Sequence, residues 1–103
     1  MKGTDNMIVR VSRVRVKSGQ ETAFEAFIRE QAVPFMKQHQ GIRDFTFGWC
    51  HMHPSEFLFT SWWASLEDIK RFAGKDWKKS VVLPGEAHMV NEMICEHYET
   101  LTT

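Results

Sequence analysis

Five histidines carry most of the chemistry open to this chain. His51 and His53 stand two apart at the end of an alternating stretch, so a strand would project both imidazoles from one face. Two such rings can hold a divalent cation. Only Glu56, across the His53-Pro54-Ser55 turn, offers a further ligand, and a polar hairpin end is the commoner reason for such a pair. No metal site is expected. His88 follows Pro84-Gly85-Glu86, in the segment leading to the last strand. At the mouth of a cleft, a histidine can serve as a base near neutral pH. At the surface it is an ordinary solvated ring. His97 and Tyr98 are adjacent on the last strand, so only one of them can face a given layer. We take His88 and His97 as the candidate catalytic residues.

The aromatic residues form a second group. Trp63, Phe72 and Trp77 are placed to line one cleft, with Tyr98 nearby, and are the candidate substrate-binding residues. Core packing is the usual role of such rings; a wall for a flat apolar or aromatic ligand is the functional one. Arg10, Arg13 and Arg15 alternate with valines on the first strand. The expectation is that they are solvated or paired with Glu96, while one of them could orient a phenolate or carboxylate. Cys50 and Cys95 lack the spacing of a redox or zinc motif and read as small buried hydrophobes, placed on neighbouring strands.

The bulk of the chain bounds these possibilities. Its 103 residues suit a single domain spanning 1–103. Lys and Arg number 13 and so do Asp and Glu, so nothing steers it toward nucleic acid or an anionic membrane. No apolar run is long enough to span a bilayer. The opening residues MKGTDN run into a strand pattern without a leader-type apolar stretch. The expected location is cytoplasmic, with both thiols reduced.

The elements that must position the candidates can be read in order. Met7 to Val16 is a strand whose apolar alternation slips phase between Val11 and Val14, which suggests a bulge near Ser12–Arg13. Phe24, Phe27, Ile28, Gln31 and Phe35 then fall on one face of a helix capped near Ser18 or Gly19. Pro34 predicts a kink or a break in it, and Gly41 its end. Ile42 to Met52 and Phe57 to Trp63 form an antiparallel hairpin. Ser65 caps a helix that Gly74 ends, and Asp76 is placed to cap a second short helix through Trp77, Val81 and Val82. Glu92 to Thr100 is the last strand. The order βαββααβ predicts an α+β, ferredoxin-like domain with a four-stranded antiparallel sheet. Its uncovered sheet face would carry Leu58, Trp62 and Phe45 or Phe47, a surface that predicts a homodimer packed sheet against sheet.

Several of these residues together resemble the antibiotic biosynthesis monooxygenase family of the dimeric α+β barrel superfamily. They are the Trp63-Ala64-Ser65 corner with Glu67, Phe72-Ala73-Gly74, Asp76, Lys79 to Val82 with Pro84, and His97-Tyr98-Glu99. The first strand, the Ser18-Gly19 turn and the Gly41 helix end match as well, so the likeness runs from about Met7 to Thr100. It implies a dimeric barrel and a cofactor-independent monooxygenase acting on a small quinol- or anthrone-like aromatic. The pattern also departs from the family's known sites. Quinol-oxidising relatives tend to carry a histidine where this chain has Trp77. Haem-degrading relatives carry a tryptophan and an iron-binding histidine where Phe72 and Val82 stand here, and neither residue can play that part. The alternatives are a non-catalytic, ligand-binding or stress-associated dimer of the same fold, and haem binding through His88 or His97 without degradation.

Overall fold

The computed structural model describes residues 6–101. Four antiparallel strands form one sheet: β1 (Ile8–Val16), β2 (Ile42–Trp49), β3 (Glu56–Trp63) and β4 (Val90–Glu99). Their order across the sheet is β2-β3-β1-β4, so β1 and β3 lie at the centre. Helices α1 (Glu21–Phe27), α2 (Val33–Lys37) and α3 (Leu66–Ala73) cover one face. This is the expected ferredoxin-like α+β arrangement. Among the described residues no helix is long and apolar enough to cross a membrane.

Helices α1 and α2 belong to one rod, joined by a single π-helical stretch, Ile28–Ala32. Its cause is Pro34, which has no N–H to donate and whose ring would press on the carbonyl one turn back. The widened turn closes with the Val33 N–H on the Ile28 carbonyl. It inserts one residue into the helical count, so the inward face changes phase. Phe24, Phe27 and Ile28 are buried as the periodicity requires, but Ala32 and Met36 take the places expected of Gln31 and Phe35. Gln31 is exposed. The rod starts at Gln20 without a side-chain cap, one residue beyond the expected Ser18 or Gly19.

The slip in the β1 pattern is not a bulge. Pairing with both neighbours runs unbroken from Ile8 to Arg15, and the irregularity falls at Arg15/Val16. What changes along β1 is the chemistry of its inner face. Arg10 and Ser12 share that face with Val14 and Val16, and all four are buried.

Three further expectations are corrected. Phe45 and Phe47 pack into the helix-side core, because a register shift between Ile42 and Asp44 pairs them with the inward-facing Ser61 and Phe59. Cys50 and Cys95 belong to opposite edges of the sheet and are both free thiols. No second helix follows Gly74; residues 75–78 form a turn, 79 a bend, and 80–83 have no regular secondary structure, before a short 3₁₀ turn, Ala87–Met89. A helix there would use its carbonyls internally, whereas the Trp77 and Lys79 carbonyls are turned toward Arg10.

Ser65 caps α3 as expected, its hydroxyl accepting the Asp68 N–H at 3.2 Å. The rod end is tied to the same place. Gly41, at φ 88°, lies so close to Asp68 that a Cβ would come within 2.7 Å of its carboxyl carbon. That contact seats α3 beside the end of α2.

Candidate functional site

Between the sheet and the rod lies a cavity of about 60 Å³. Its wall is mostly apolar, with Phe72 and Met36 among its lining. Four polar residues complete it: Arg10 and Ser12 from β1, Ser80 and Glu86 from the irregular segment after α3. The segment is drawn down onto the sheet at two points. The Ser12 and Ser80 hydroxyls lie 2.8 Å apart. Arg10 donates from Nη1 to the Trp77 carbonyl at 2.6 Å and from Nη2 to the Lys79 carbonyl at 2.8 Å.

Arg10 is 1% exposed. Burying a guanidinium is costly unless its donors are satisfied and its charge balanced. Its donors meet carbonyls, and its plane sits over the Phe72 ring at 5.7 Å. Yet no carboxylate pairs with it among the described residues; burial pushes its pKa down, with Cys95 opposing. The third contact is His97, whose Nε2 lies 2.9 Å from Nη1. A guanidinium cannot accept, so Nε2 must, which leaves the His97 proton on Nδ1 and the ring neutral. Burial, and then the Arg10 charge, hold the His97 pKa below its ordinary value. The Trp77 ring closes over the imidazole edge-on, with centroids 5.1 Å apart.

Glu86 is the buried carboxyl of the site, 6% exposed. Its Oε1 accepts the Leu83 N–H at 2.9 Å. Burial raises its pKa and the bond from Leu83 partly offsets this.

The sequence candidates fall into distinct places. Phe72 lines the cavity. His97 and Trp77 stand behind Arg10, outside the cavity wall. Trp63 is wholly buried in the core, its N–H donating to Ser61 Oγ at 2.8 Å, and does not line the cavity. His88 is exposed on the 3₁₀ turn while its neighbours Glu86 and Met89 point inward. Tyr98 faces the opposite side of the sheet, 54% exposed, with its hydroxyl on Glu96 at 3.0 Å. Strand alternation allows only one of the last two strand candidates inward, and it is His97. Arg13 and Arg15 are on that outer face too, paired with Glu96, and with Glu56 and Glu92. Among the described residues no three His, Cys, Asp or Glu side chains converge as a metal site would require, and His51 and His53 are exposed.

Ser12, Ser80 and Glu86 were not among the sequence candidates. The signal for Ser12 was present: with Arg10 it breaks the run of valines on a face that is otherwise core. Nothing local distinguishes Ser80 or Glu86.

The model of the antibiotic biosynthesis monooxygenase family matches residues 7–79, well over half the chain. The chain belongs to that family. The matched region carries β1 with Arg10 and Ser12, and α3 with Phe72; Ser80, Glu86 and His97 lie beyond it. No curated protein matches the chain. Solved structures of similar fold include a Nitrosomonas europaea protein of unknown function, 19% identical, with a TM-score of 0.78 over 98% of this chain and 95% of that one. A Shewanella oneidensis protein is 16% identical, with a TM-score of 0.77 over 97% and 95%. A Bordetella bronchiseptica protein that carries the family's name is 16% identical, with a TM-score of 0.73 over 95% and 100%. At these identities the likeness extends to the fold alone.

Proposed function

We propose that this family member is a cofactor-independent monooxygenase for a small, electron-rich phenol of the quinol class. The observation that carries the reading is Arg10, a buried cation at the wall of a largely apolar cavity that no carboxylate pairs with among the described residues. Such a place favours an anion that develops during reaction, because the low-dielectric surroundings strengthen its attraction to the guanidinium. A phenolate meets that description.

In this scheme the phenol loses its proton, and its anion gives one electron to dioxygen. The resulting aryloxyl radical and superoxide join at a ring carbon that bears hydrogen. Loss of that hydrogen as a proton, with cleavage of the O–O bond, leaves a carbonyl oxygen on the ring and releases the second oxygen as water. The protein supplies binding, charge stabilisation and exclusion of bulk water. Phe72 contributes an aromatic wall. His97 acts as a positioning residue, holding Nη1 of Arg10 while adding no charge of its own. The cavity volume favours one ring over three. An apolar cavity of about 150 Å³ takes benzene, so even a single ring must displace lining side chains.

That small volume also favours the second reading, a non-catalytic binding dimer whose pocket is nearly filled. In both readings we take the uncovered sheet face as the dimer interface. Leu58, Ile94 and Tyr98 are exposed there beside half-buried Val9, Val11 and Trp62.

Oxygen uptake with a panel of hydroquinones and anthrones tests the proposal. We expect uptake above the uncatalysed rate for single-ring substrates, reduced about 10²- to 10³-fold in Arg10→Lys, which keeps the charge but loses the planar fork. No uptake across the panel would favour the binding dimer.

A further inference from the structure

Glu86 does more than its local geometry needs. Its backbone N–H donates to the Leu83 carbonyl at 3.1 Å, and its Oε1 accepts the Leu83 N–H at 2.9 Å. These two bonds close the turn Leu83-Pro84-Gly85-Glu86, in which Gly85, at φ 85°, takes the third position of a type II turn. A glutamine would close it equally well. Turn closure therefore accounts for one oxygen and leaves the acid unexplained. Among the described residues Glu86 is the only buried carboxyl, and burying one without a cation is unfavourable. Its second oxygen has no hydrogen-bond partner among those residues, and none of their fully buried side-chain polar atoms lacks a partner, so this oxygen remains accessible.

The other candidate bases are not available in this way. His97 commits its Nε2 lone pair to Arg10. His88 is exposed and does not line the cavity. Glu86 lines the cavity that Arg10 also lines.

We infer that Glu86 is the proton acceptor of the cavity, taking the hydroxyl proton of a single-ring phenol bound against Arg10. The inference rests on the reading of the cavity as the substrate site. The phenol O–H bond breaks, and a new O–H bond forms on the free Glu86 oxygen. The electron pair stays on the phenolic oxygen, so the negative charge passes from Glu86 to the substrate, where Arg10 meets it. Desolvation of the carboxyl works in the same direction, since it favours the protonated acid.

The test is anaerobic titration of wild type and Glu86→Gln with 4-nitrophenol, which dioxygen does not consume and whose anion absorbs at longer wavelength than the phenol. The expected result is an anion band on binding to wild type, with no proton released to the buffer, and a band at least tenfold weaker in Glu86→Gln. Glu86→Asp, which keeps the acid, should retain part of the band. Matching thermal melts establish that the Gln variant is folded. A band of equal size in Glu86→Gln, or no band with wild type, would overturn the assignment. Oxygen uptake with trimethylhydroquinone is followed in parallel. Uptake together with an unchanged band in Glu86→Gln would remove Glu86 and keep the oxygenase. A band that depends on Glu86 without uptake would keep the proton acceptor and remove the oxygenase.

Discussion

Arg10 and His97 are direct cross-strand partners on β1 and β4, and their side chains meet with Nη1 and Nε2 2.9 Å apart. The contact joins a permanent cation to a ring that must remain neutral to accept from it. Through Arg10 the pair also holds the Trp77 and Lys79 carbonyls, so one guanidinium links the central strand, the edge strand and the segment that roofs the cavity.

Removing Arg10 should therefore loosen the roof. Arg10→Ala leaves two carbonyls without their donor and opens space beneath Trp77. We expect a loss of about 2–5 kcal/mol, since each unsatisfied buried partner costs about 1–3 kcal/mol. Urea unfolding measures the loss. Limited proteolysis should cut first within residues 75–83.

The pH dependence of stability has two opposed parts. The folded-state pKa of His97 lies below its ordinary value of 6.5. Its contribution is complete above that value and is lost as pH falls through it toward the folded-state pKa, because the unfolded chain binds the proton first. Glu86 has a folded-state pKa above its ordinary 4.5. Its contribution is present below 4.5 and is lost as pH rises through the folded-state value. We expect the stability advantage of wild type over His97→Gln to shrink between about pH 7 and pH 5. Glu86→Gln should gain on wild type as pH rises from 4.5 through the folded-state value. Urea titrations across pH check both; parallel curves for wild type and His97→Gln would contradict the first.

Trp63 is a core residue, and its substitution should be felt in stability. The side chain is fully buried and stacks obliquely on Phe72 at 5.0 Å. Trp63→Ala should cost about 3–5 kcal/mol. Trp63→Phe should cost less, mostly through Ser61 losing the indole N–H. Ligand binding, measured at a temperature where both variants are folded, should change far less than stability does.

The uncovered sheet face should hold two copies together. A Leu58→Glu, Ile94→Glu double substitution places acids on two exposed apolar positions either side of Arg13. We expect light scattering to give twice the chain mass for wild type and the single-chain mass for the variant, with the folded circular-dichroism spectrum unchanged. A monomeric wild type would remove the dimer proposal.

Much of the architecture was legible in the chain because its causes are local. Ser65 and Gly74 bound α3 by capping chemistry, Pro34 interrupts the long helix, and alternation assigns Phe57, Phe59, Ser61 and Trp63 to one face of β3. The errors came where a local signal had a non-local cause. Arg10 and Ser12 resembled a phase slip because polar residues on a core face are rare. They are buried there because backbone carbonyls and a hydroxyl from residues 77–80, more than sixty positions away, satisfy them. The same segment was read as a helix because its spacing permits one, but Arg10 recruits the carbonyls a helix would use. At Pro34 the break was foreseen and its consequence was not: one inserted residue moved Ala32 and Met36 inward in place of Gln31 and Phe35.

By itself, then, the sequence determined the order of the four strands, the inner face of β3, the capped helix α3 and the family, since periodicity, caps and turns act over a few residues. Only the tertiary structure decided which polar groups form the site. Arg10, His97 and Glu86 come from a central strand, an edge strand and a turn. Whether each is solvated, paired or buried depends on what the fold packs against it, and no spacing along the chain encodes that.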